Sequence, residues 1–168
     1  LADKFRSGDV DAFVDGGANV GLYSFIAQKH GVPVIAIEPQ RRNLKGLRLG
    51  LRANGYEAEI VPCALSNREG TATIYGISPG SSSLLKKWNT EISLFRRTVP
   101  VTQLDSVLAF AYQGKRLLIK LDLEGHEWEA LQGAKRTLVR EPRPKWMVEI
   151  VEYAHPGGVH PHNADIFA

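Results

Sequence analysis

One stretch decides the fold of this chain: Phe13-Val14-Asp15-Gly16-Gly17-Ala18-Asn19-Val20-Gly21. It reads as an apolar strand that ends on a carboxylate, turns through glycines and enters a helix. Glycine carries no side chain, so such a turn lets a ligand approach the backbone closely, in front of a helix N-terminus. The pattern indicates a nucleotide-binding turn, although a tight strand-to-helix connection without any ligand has the same sequence.

The carboxylate in this turn discriminates between kinds of nucleotide. A dinucleotide pyrophosphate needs G-x-G-x-x-G, but Ala18 takes the middle glycine position, and we expect Asp15 at the mouth of the turn, where it repels a pyrophosphate. A ligand with an ammonium and a sulfonium, such as S-adenosylmethionine, is attracted instead. The spacing Asp15-x-Gly17-x-Asn19-x-Gly21 approaches the acid-x-G-x-G-x-G turn of Rossmann-like methyltransferases.

The length and composition of the chain limit the classes of protein to which it can belong. At 168 residues the chain is most simply one domain, 1–168. Its 43% hydrophobic and 23% charged residues are ordinary for a globular protein, and a net charge of +3 does not indicate nucleic acid. The single cysteine, Cys63, allows no internal disulfide and favours a reducing compartment, so we expect a cytoplasmic protein. The sequence contains no 18-residue apolar run that predicts a membrane span.

Apolar runs alternate with helical patterns along most of the chain, which predicts βαβ units and a mostly parallel sheet. Strands are predicted at 12–15, 33–38, 57–63, 116–122 and 145–152, and helices at 19–30, 39–54, 102–112 and 126–139.

The middle of the chain departs from this alternation. An alternating run at 71–76 predicts one strand of an inserted antiparallel hairpin. A further strand is predicted at 98–101, and Pro100 places it at an edge, because proline cannot donate to the ladder. Residues 77–83 predict a mobile loop, of which 80–83 are either a lid or a plain linker.

Two sites follow the second and third strands. Glu38 is placed to accept hydrogen bonds from both ribose hydroxyls of a nucleoside, which fits NAD as well as a methyl donor; a solvated glutamate before Pro39 is the alternative. The run Cys63-Ala64-Leu65-Ser66 is small and largely apolar, which suits a flat adenine, although an ordinary turn has the same composition.

A second informative block places two acids and a histidine at the carboxyl end of a buried strand, the usual crevice of open α/β sheets. It reads Leu118-Ile119-Lys120-Leu121-Asp122-Leu123-Glu124-Gly125-His126-Glu127. With this block the chain resembles the FkbM-type methyltransferases. The matching segments, in the family's order, are Val14-Asp15-Gly16-Gly17-Ala18-Asn19-Val20-Gly21-Leu22-Tyr23, Ile37-Glu38-Pro39, Ala64-Leu65-Ser66, Gly80-Ser81-Ser82-Ser83-Leu84, Val99-Pro100-Val101-Thr102-Gln103-Leu104-Asp105-Ser106, Ile119-Lys120-Leu121-Asp122-Leu123-Glu124-Gly125-His126-Glu127 and Val148-Glu149-Ile150.

The resemblance implies an α/β, Rossmann-like class I methyltransferase sandwich that uses S-adenosylmethionine, typically to methylate a hydroxyl of a sugar, lipid or small molecule. The residues that it assigns to the donor are Asp15, Gly16, Gly17, Asn19 and Glu38, with Ala64 and Leu65 at the adenine and Asp122 and Glu124 near the transferred methyl. The family's sheet normally has seven strands and the sequence predicts five, so we expect the last strands to be missing.

A hydroxyl acceptor must lose a proton, and histidine titrates near neutral pH. The candidate bases are His126 and His155, with Asp122 beside them, although either histidine also fits an ordinary position in a first helical turn or a loop. The spacing of His155, His160 and His162 matches no zinc pattern, so we expect no metal.

Basic residues are the last feature. Arg41, Lys45, Arg48 and Arg52 share a helix face, either as a solvated surface or to meet a phosphate-bearing acceptor or nucleic acid. Lys86-Lys87-Trp88 and Arg96-Arg97 flank the serine loop, where they are hypothesised to recognise an anionic or sugar acceptor.

The sequence therefore predicts an S-adenosylmethionine-dependent O-methyltransferase acting on a small molecule, glycan or lipid, with no nucleic-acid partner. An NAD-type oxidoreductase and a non-catalytic nucleoside-binding module are the alternatives.

Overall fold

The computed structural model describes residues 1–78, 81–84, 95–109 and 112–150 and positions 162, 164 and 166, with backbone alone at 76–78, 81–83 and 95. The helices there are α1 Ala2–Arg6, α2 Leu22–Lys29, α3 Arg41–Asn54, α4 Leu104–Leu108, α5 Glu127–Gln132 and α6 Lys135–Leu138. The strands are β1 Ala12–Gly16, β2 Val34–Ile37, β3 Glu59–Val61, β4 Ala64–Leu65, β5 Gly70–Ser78, β6 Ser81–Ser83, β7 Phe95–Thr102, β8 Leu117–Leu121 and β9 Lys145–Val148.

The main sheet has five parallel strands in the order β3-β2-β1-β8-β9. Alternate residues enter opposite cores: Val14 and Ile35 belong to one apolar cluster, whereas Phe13 and Val34 belong to the other. Both faces are therefore covered, as continuous apolar strands require. The predicted α/β fold with a mostly parallel, Rossmann-like sheet is confirmed.

A second sheet, in the order β4-β7-β5-β6, contains the inserted hairpin. The loop predicted at 77–83 is wrong for the described residues 77–78 and 81–83, because β5 continues to Ser78 and pairs antiparallel with β6. The edge position predicted for 98–101 holds only as far as Pro100: β7 lies between β5 and β4, but among the described residues its β4 side is paired only at its end. Proline is tolerated there since β4 pairs only with Val101 and Thr102, after Pro100.

All four predicted helices are shorter in the structure, and α3 differs least, because it begins at Arg41. Asn19 and Gly21 have φ of 52° and 98°, so α2 begins only at Leu22. The helix predicted at 102–112 ends at Leu108, where Ala109 leaves the helical region with φ of 33°. The one predicted at 126–139 is interrupted at Gly133, where the backbone presses against the carbonyl of Ser66. None of the described helices combines the length and the apolar character that crossing a bilayer requires.

Candidate functional site

A cleft opens at the carboxyl ends of β1, β2 and β8 and, counted to its open mouth, encloses about 720 Å³. That size is in the range of small-molecule sites. Eight residues singled out from the sequence line it: Gly17, Asn19, Glu38, Ala64, Leu65, Asp122, Glu124 and His126. The structure therefore brings the glycine turn and the acid-rich block to one site.

The glycine turn is held tightly against the end of β8. The N–H groups of Gly17 and Ala18 both donate to the carbonyl of Ile37 at 3.0 Å. Gly17 has φ of 73°, and a Cβ built on it would lie 1.9 Å from the carbonyl oxygen of Asp122. Only glycine fits this position, because a side chain would force the turn and β8 apart.

Glu38 is fixed by groups of the protein itself. One carboxylate oxygen accepts the N–H of Asn19 at 3.0 Å, and the other accepts the N–H of Gln40 at 2.8 Å and the amide of Asn43 at 3.2 Å. Burial raises the pKa of this carboxyl, and the three hydrogen bonds oppose that shift. A carboxylate has about four acceptor positions, so capacity remains for a ribose hydroxyl.

Asp15 does not lie where the sequence indicated. Its side chain is 0% exposed; one oxygen accepts the Ser24 hydroxyl at 2.6 Å, and the other lies 3.5 Å from Lys120 Nζ. Burial raises the pKa of Asp15, whereas Lys120 lowers it. The prediction that Asp15 stands at the mouth of the turn is wrong, because Lys120, its register partner on β8, holds it beneath the cleft. Gly16 is likewise buried below the cleft surface.

Lys120 was not given a role from the sequence. Its ammonium lies 3.1 Å from Asp122 Oδ2 and 3.4 Å from each of the carbonyl oxygens of Gly16 and Gly17. It also stands 5.0 Å from the centre of the Tyr23 ring. Lys120 thus ties β1 to β8 and neutralises part of the charge of two aspartates.

The acidic end of the cleft lies beyond Lys120. Asp122 is 34% exposed there. Burial, with Asp122 and Glu127 nearby, raises the pKa of Glu124 to about 7. Glu149, which sequence reasoning missed, follows β9; its hydrogen bond with Asp122, together with the partial loss of solvent around a largely exposed side chain, raises its pKa to about 7. Glu149 lies beside Asp122 because β9 pairs with β8.

The charge of the cleft has one sign. Its described lining includes the carboxylates Glu38, Asp122 and Glu124 and no lysine or arginine. Such a lining attracts a cation and repels a pyrophosphate. Within the described part of the chain, no three histidine, cysteine or carboxylate side chains are grouped so as to hold a metal ion.

His126 lies on the wall of the cleft, with its side chain 13% exposed. Its Nε2 is 3.2 Å from the Ser66 hydroxyl, and its Nδ1 is 3.3 Å from Glu129 Oε2, an ion-pair distance without hydrogen-bond alignment. A hydroxyl, an imidazole and a carboxylate therefore stand in a row. Neither Ser66 nor Glu129 was assigned this part from the sequence. His126 and Glu129 belong to the start of α5, three residues apart, whereas Ser66 follows β4 and meets His126 only after folding.

Several other predicted residues lie elsewhere. His155 and His160, Gly80 and the basic run 86–88 fall outside the described residues. His162 stacks on Trp128 of α5, with 4.9 Å between ring centres. Arg96 and Arg97 are exposed on β7 and do not line the cleft.

The doubly covered parallel sheet, with its ligand cleft at the strand ends, defines the class of Rossmann-like α/β proteins. Comparison with family models identifies the family within that class. The Methyltransferase FkbM domain matches residues 15–165 of the 168, and the chain belongs to this methyltransferase family. No curated protein and no solved structure matches the chain. The resemblance in the sequence is thereby confirmed.

Proposed function

We propose that this methyltransferase uses S-adenosylmethionine and methylates a hydroxyl of a small molecule, glycan or lipid. The observation that carries the proposal is the anionic cleft, whose described lining holds three carboxylates and no basic side chain. A sulfonium donor suits that charge. The pyrophosphate of the alternative NAD-type oxidoreductase does not, and the family match is to methyltransferases.

The lining residues fit the parts of such a donor. The carboxylate of Glu38 is held in place by hydrogen bonds from Asn19, Gln40 and Asn43. It accepts hydrogen bonds from the hydroxyl groups of the ribose. Ala64 and Leu65 offer an apolar surface to the adenine ring. Asp122 and Glu124 supply negative charge for the ammonium and sulfonium groups. When bound, the donor supplies an electrophilic methyl group, so the protein contributes mainly by orientation.

His126 is the base in this proposal. Glu129 Oε2, 3.3 Å from Nδ1, favours the tautomer with its proton on Nδ1, and Nε2 then takes the proton of the acceptor hydroxyl. The buried Ser66 hydroxyl lies 3.2 Å from Nε2, so the acceptor hydroxyl reaches this nitrogen by replacing that contact. A positioned base contributes about 10²–10⁴-fold to the rate.

Calorimetric titration with S-adenosylhomocysteine tests the donor. We expect saturable binding, and no binding of NADH. Binding of NADH without binding of S-adenosylhomocysteine would reject the proposal. A screen of hydroxylated small molecules, glycans and lipids with labelled donor then tests transfer; donor binding without transfer to any of them would favour a non-catalytic module.

The base is tested by His126→Ala and Glu129→Gln. We expect transfer to fall about 10²-fold or more in the first variant, with the affinity for S-adenosylhomocysteine unchanged. Glu129→Gln should lower the rate less and shift its pH profile, because it changes the basicity of the ring without removing it. Full turnover by His126→Ala would rule out this base.

A further inference from the structure

Helix α3 carries an unusual concentration of positive charge. Its fourteen residues include five cations and no acid. All five are exposed: Arg41, Arg42, Lys45, Arg48 and Arg52. The opposite face, with Leu44, Leu47 and Leu51, is buried in the core. The helix is anchored by its leucines and leaves its cations to solvent.

These charges do not stabilise the helix. Arg41 and Arg42 stand in the first turn, where the helix dipole disfavours cations. Arg41 and Lys45, and Arg48 and Arg52, are like-charge pairs four residues apart, which repel each other. Among the ion pairs between described residues, none includes a cation of α3. The charge is therefore available to an external anion.

Apolar side chains lie within and beside the cations. At about 100° per residue, Leu49 falls between Arg42 and Lys45 around the helix axis, and it is 54% exposed. Next to that side, Val20 packs over Gly46, where a Cβ would lie 3.2 Å from Val20 Cγ1, and Val20 is 51% exposed. A cluster of lysines and arginines on an amphipathic helix is typical of a surface that binds acidic lipid headgroups, and exposed aliphatic groups beside it can enter the headgroup region.

We propose that this surface, the α3 basic face (Arg41, Arg42, Lys45, Arg48, Arg52, Leu49 and Val20), docks onto an anionic lipid bilayer. The charge complements acidic headgroups, and Leu49 and Val20 enter the headgroup region. Nucleic acid explains the cations but not the aliphatic residues among them. Docking also brings the cleft near the lipid, because α3 starts at the cleft and its Asn43 lines it. The docking does not depend on methyl transfer.

Co-sedimentation with vesicles tests the proposal. Vesicles of phosphatidylcholine alone are compared with vesicles containing a third phosphatidylglycerol, at about 10 mM and 150 mM salt. We expect sedimentation only with the anionic vesicles, weakened at the higher salt, where charges are screened within about 8 Å. No sedimentation with anionic vesicles at low salt would overturn the proposal.

Two triple variants separate this face from net charge. Lys45→Glu/Arg48→Glu/Arg52→Glu removes the face, and Lys4→Glu/Lys115→Glu/Lys135→Glu makes the same charge change at exposed sites of other elements. We expect the first to weaken vesicle binding by about a hundredfold or more and the second by less than tenfold. Equal losses in both would overturn the proposal.

Two further variants and a competitor complete the test. If the first triple variant does not fold, as judged by circular dichroism, the corresponding glutamine triple replaces it, with the same expected loss. Leu49→Asn should weaken binding several-fold at the higher salt, where the apolar contact matters most. Tighter binding to a duplex oligonucleotide than to anionic vesicles would overturn the assignment in favour of nucleic acid.

Discussion

Asp15 and Asp122 end neighbouring strands, flank the same lysine and nevertheless have opposite surroundings. Asp15 is 0% exposed and bound to Ser24 and Lys120, whereas Asp122 is 34% exposed and faces the cleft. The difference teaches that a carboxylate at a strand end is not yet a ligand-binding group. Its neighbours decide whether its charge stabilises the fold or remains available to a ligand.

The largest effect is expected where the two regions touch, at Gly17. Gly17→Ala places a Cβ 1.9 Å from the Asp122 carbonyl, so we expect a loss of more than about 3 kcal/mol in the free energy of unfolding, measured by urea denaturation. Gly31→Ala is the matched control, since Gly31 has φ of 72° and open space around it. It should lose only about 1 kcal/mol; equal losses would refute the role of the contact.

The two aspartates should differ when each is replaced by asparagine. Asp15→Asn leaves a buried lysine with less compensation, and we expect it to lower the free energy of unfolding by about 3 kcal/mol. Asp122→Asn also removes a partner of Lys120, but Asp122 is 34% exposed and its charge is partly screened by water. We therefore expect it to cost less stability than Asp15→Asn and to weaken binding of S-adenosylmethionine by roughly tenfold. Thermal unfolding and calorimetry measure both quantities, and the reverse pattern would contradict the comparison.

The pH dependence of donor binding sharpens the role of the exposed acids. The pKa of Glu124 is about 7, so its carboxyl is mostly protonated at pH 6 and mostly ionised at pH 8. Because the ionised form attracts a cation, affinity for S-adenosylmethionine should rise by up to about tenfold between these values. Glu124→Gln should flatten the profile; an unchanged slope in that variant would exclude Glu124 as the cause.

The smallest effect concerns Glu149. Its pKa is raised from 4.5 to about 7, so the folded state binds its proton more tightly than the unfolded state does. The resulting contribution to the free energy of unfolding is present below pH 4.5 and is lost as the pH rises to 7. Glu149→Gln should therefore stabilise the protein at pH 8 and not at pH 4.5. We expect less than about 1 kcal/mol, because Glu149 is exposed. Glu57→Gln, an exposed residue remote from the cleft, is the control in urea denaturation.

Much of the fold follows from local sequence patterns and can therefore be predicted from the sequence. Continuous apolar runs and a glycine turn predict buried parallel strands, and all five predicted strands of the main sheet are present, some of them shorter. The ends of helices were less readable. The close approach of the Ser66 carbonyl to Gly133, where the predicted helix is interrupted, joins segments distant in sequence and is not recorded by any local pattern.

The candidate site also contains residues whose positions follow from local sequence patterns and residues that only folding brings together. Residues contributed by a strand end, such as Glu38 and Asp122, are placed by periodicity alone and line the cleft. Asp15 follows the same pattern but is covered, because β8 brings Lys120 to its side. The contacts of His126 with Ser66 and of Glu149 with Asp122 join segments distant in sequence, and their pairing appears only after folding.

By itself, the sequence determined the parallel sheet, the turn at its centre, the acids at its carboxyl edge and the family to which the chain belongs. Those properties follow from local periodicity and from short motifs. Only the tertiary structure decided which acids face the cleft, because charge exposure depends on the register between β1 and β8 and on the lysine which that register places between two aspartates.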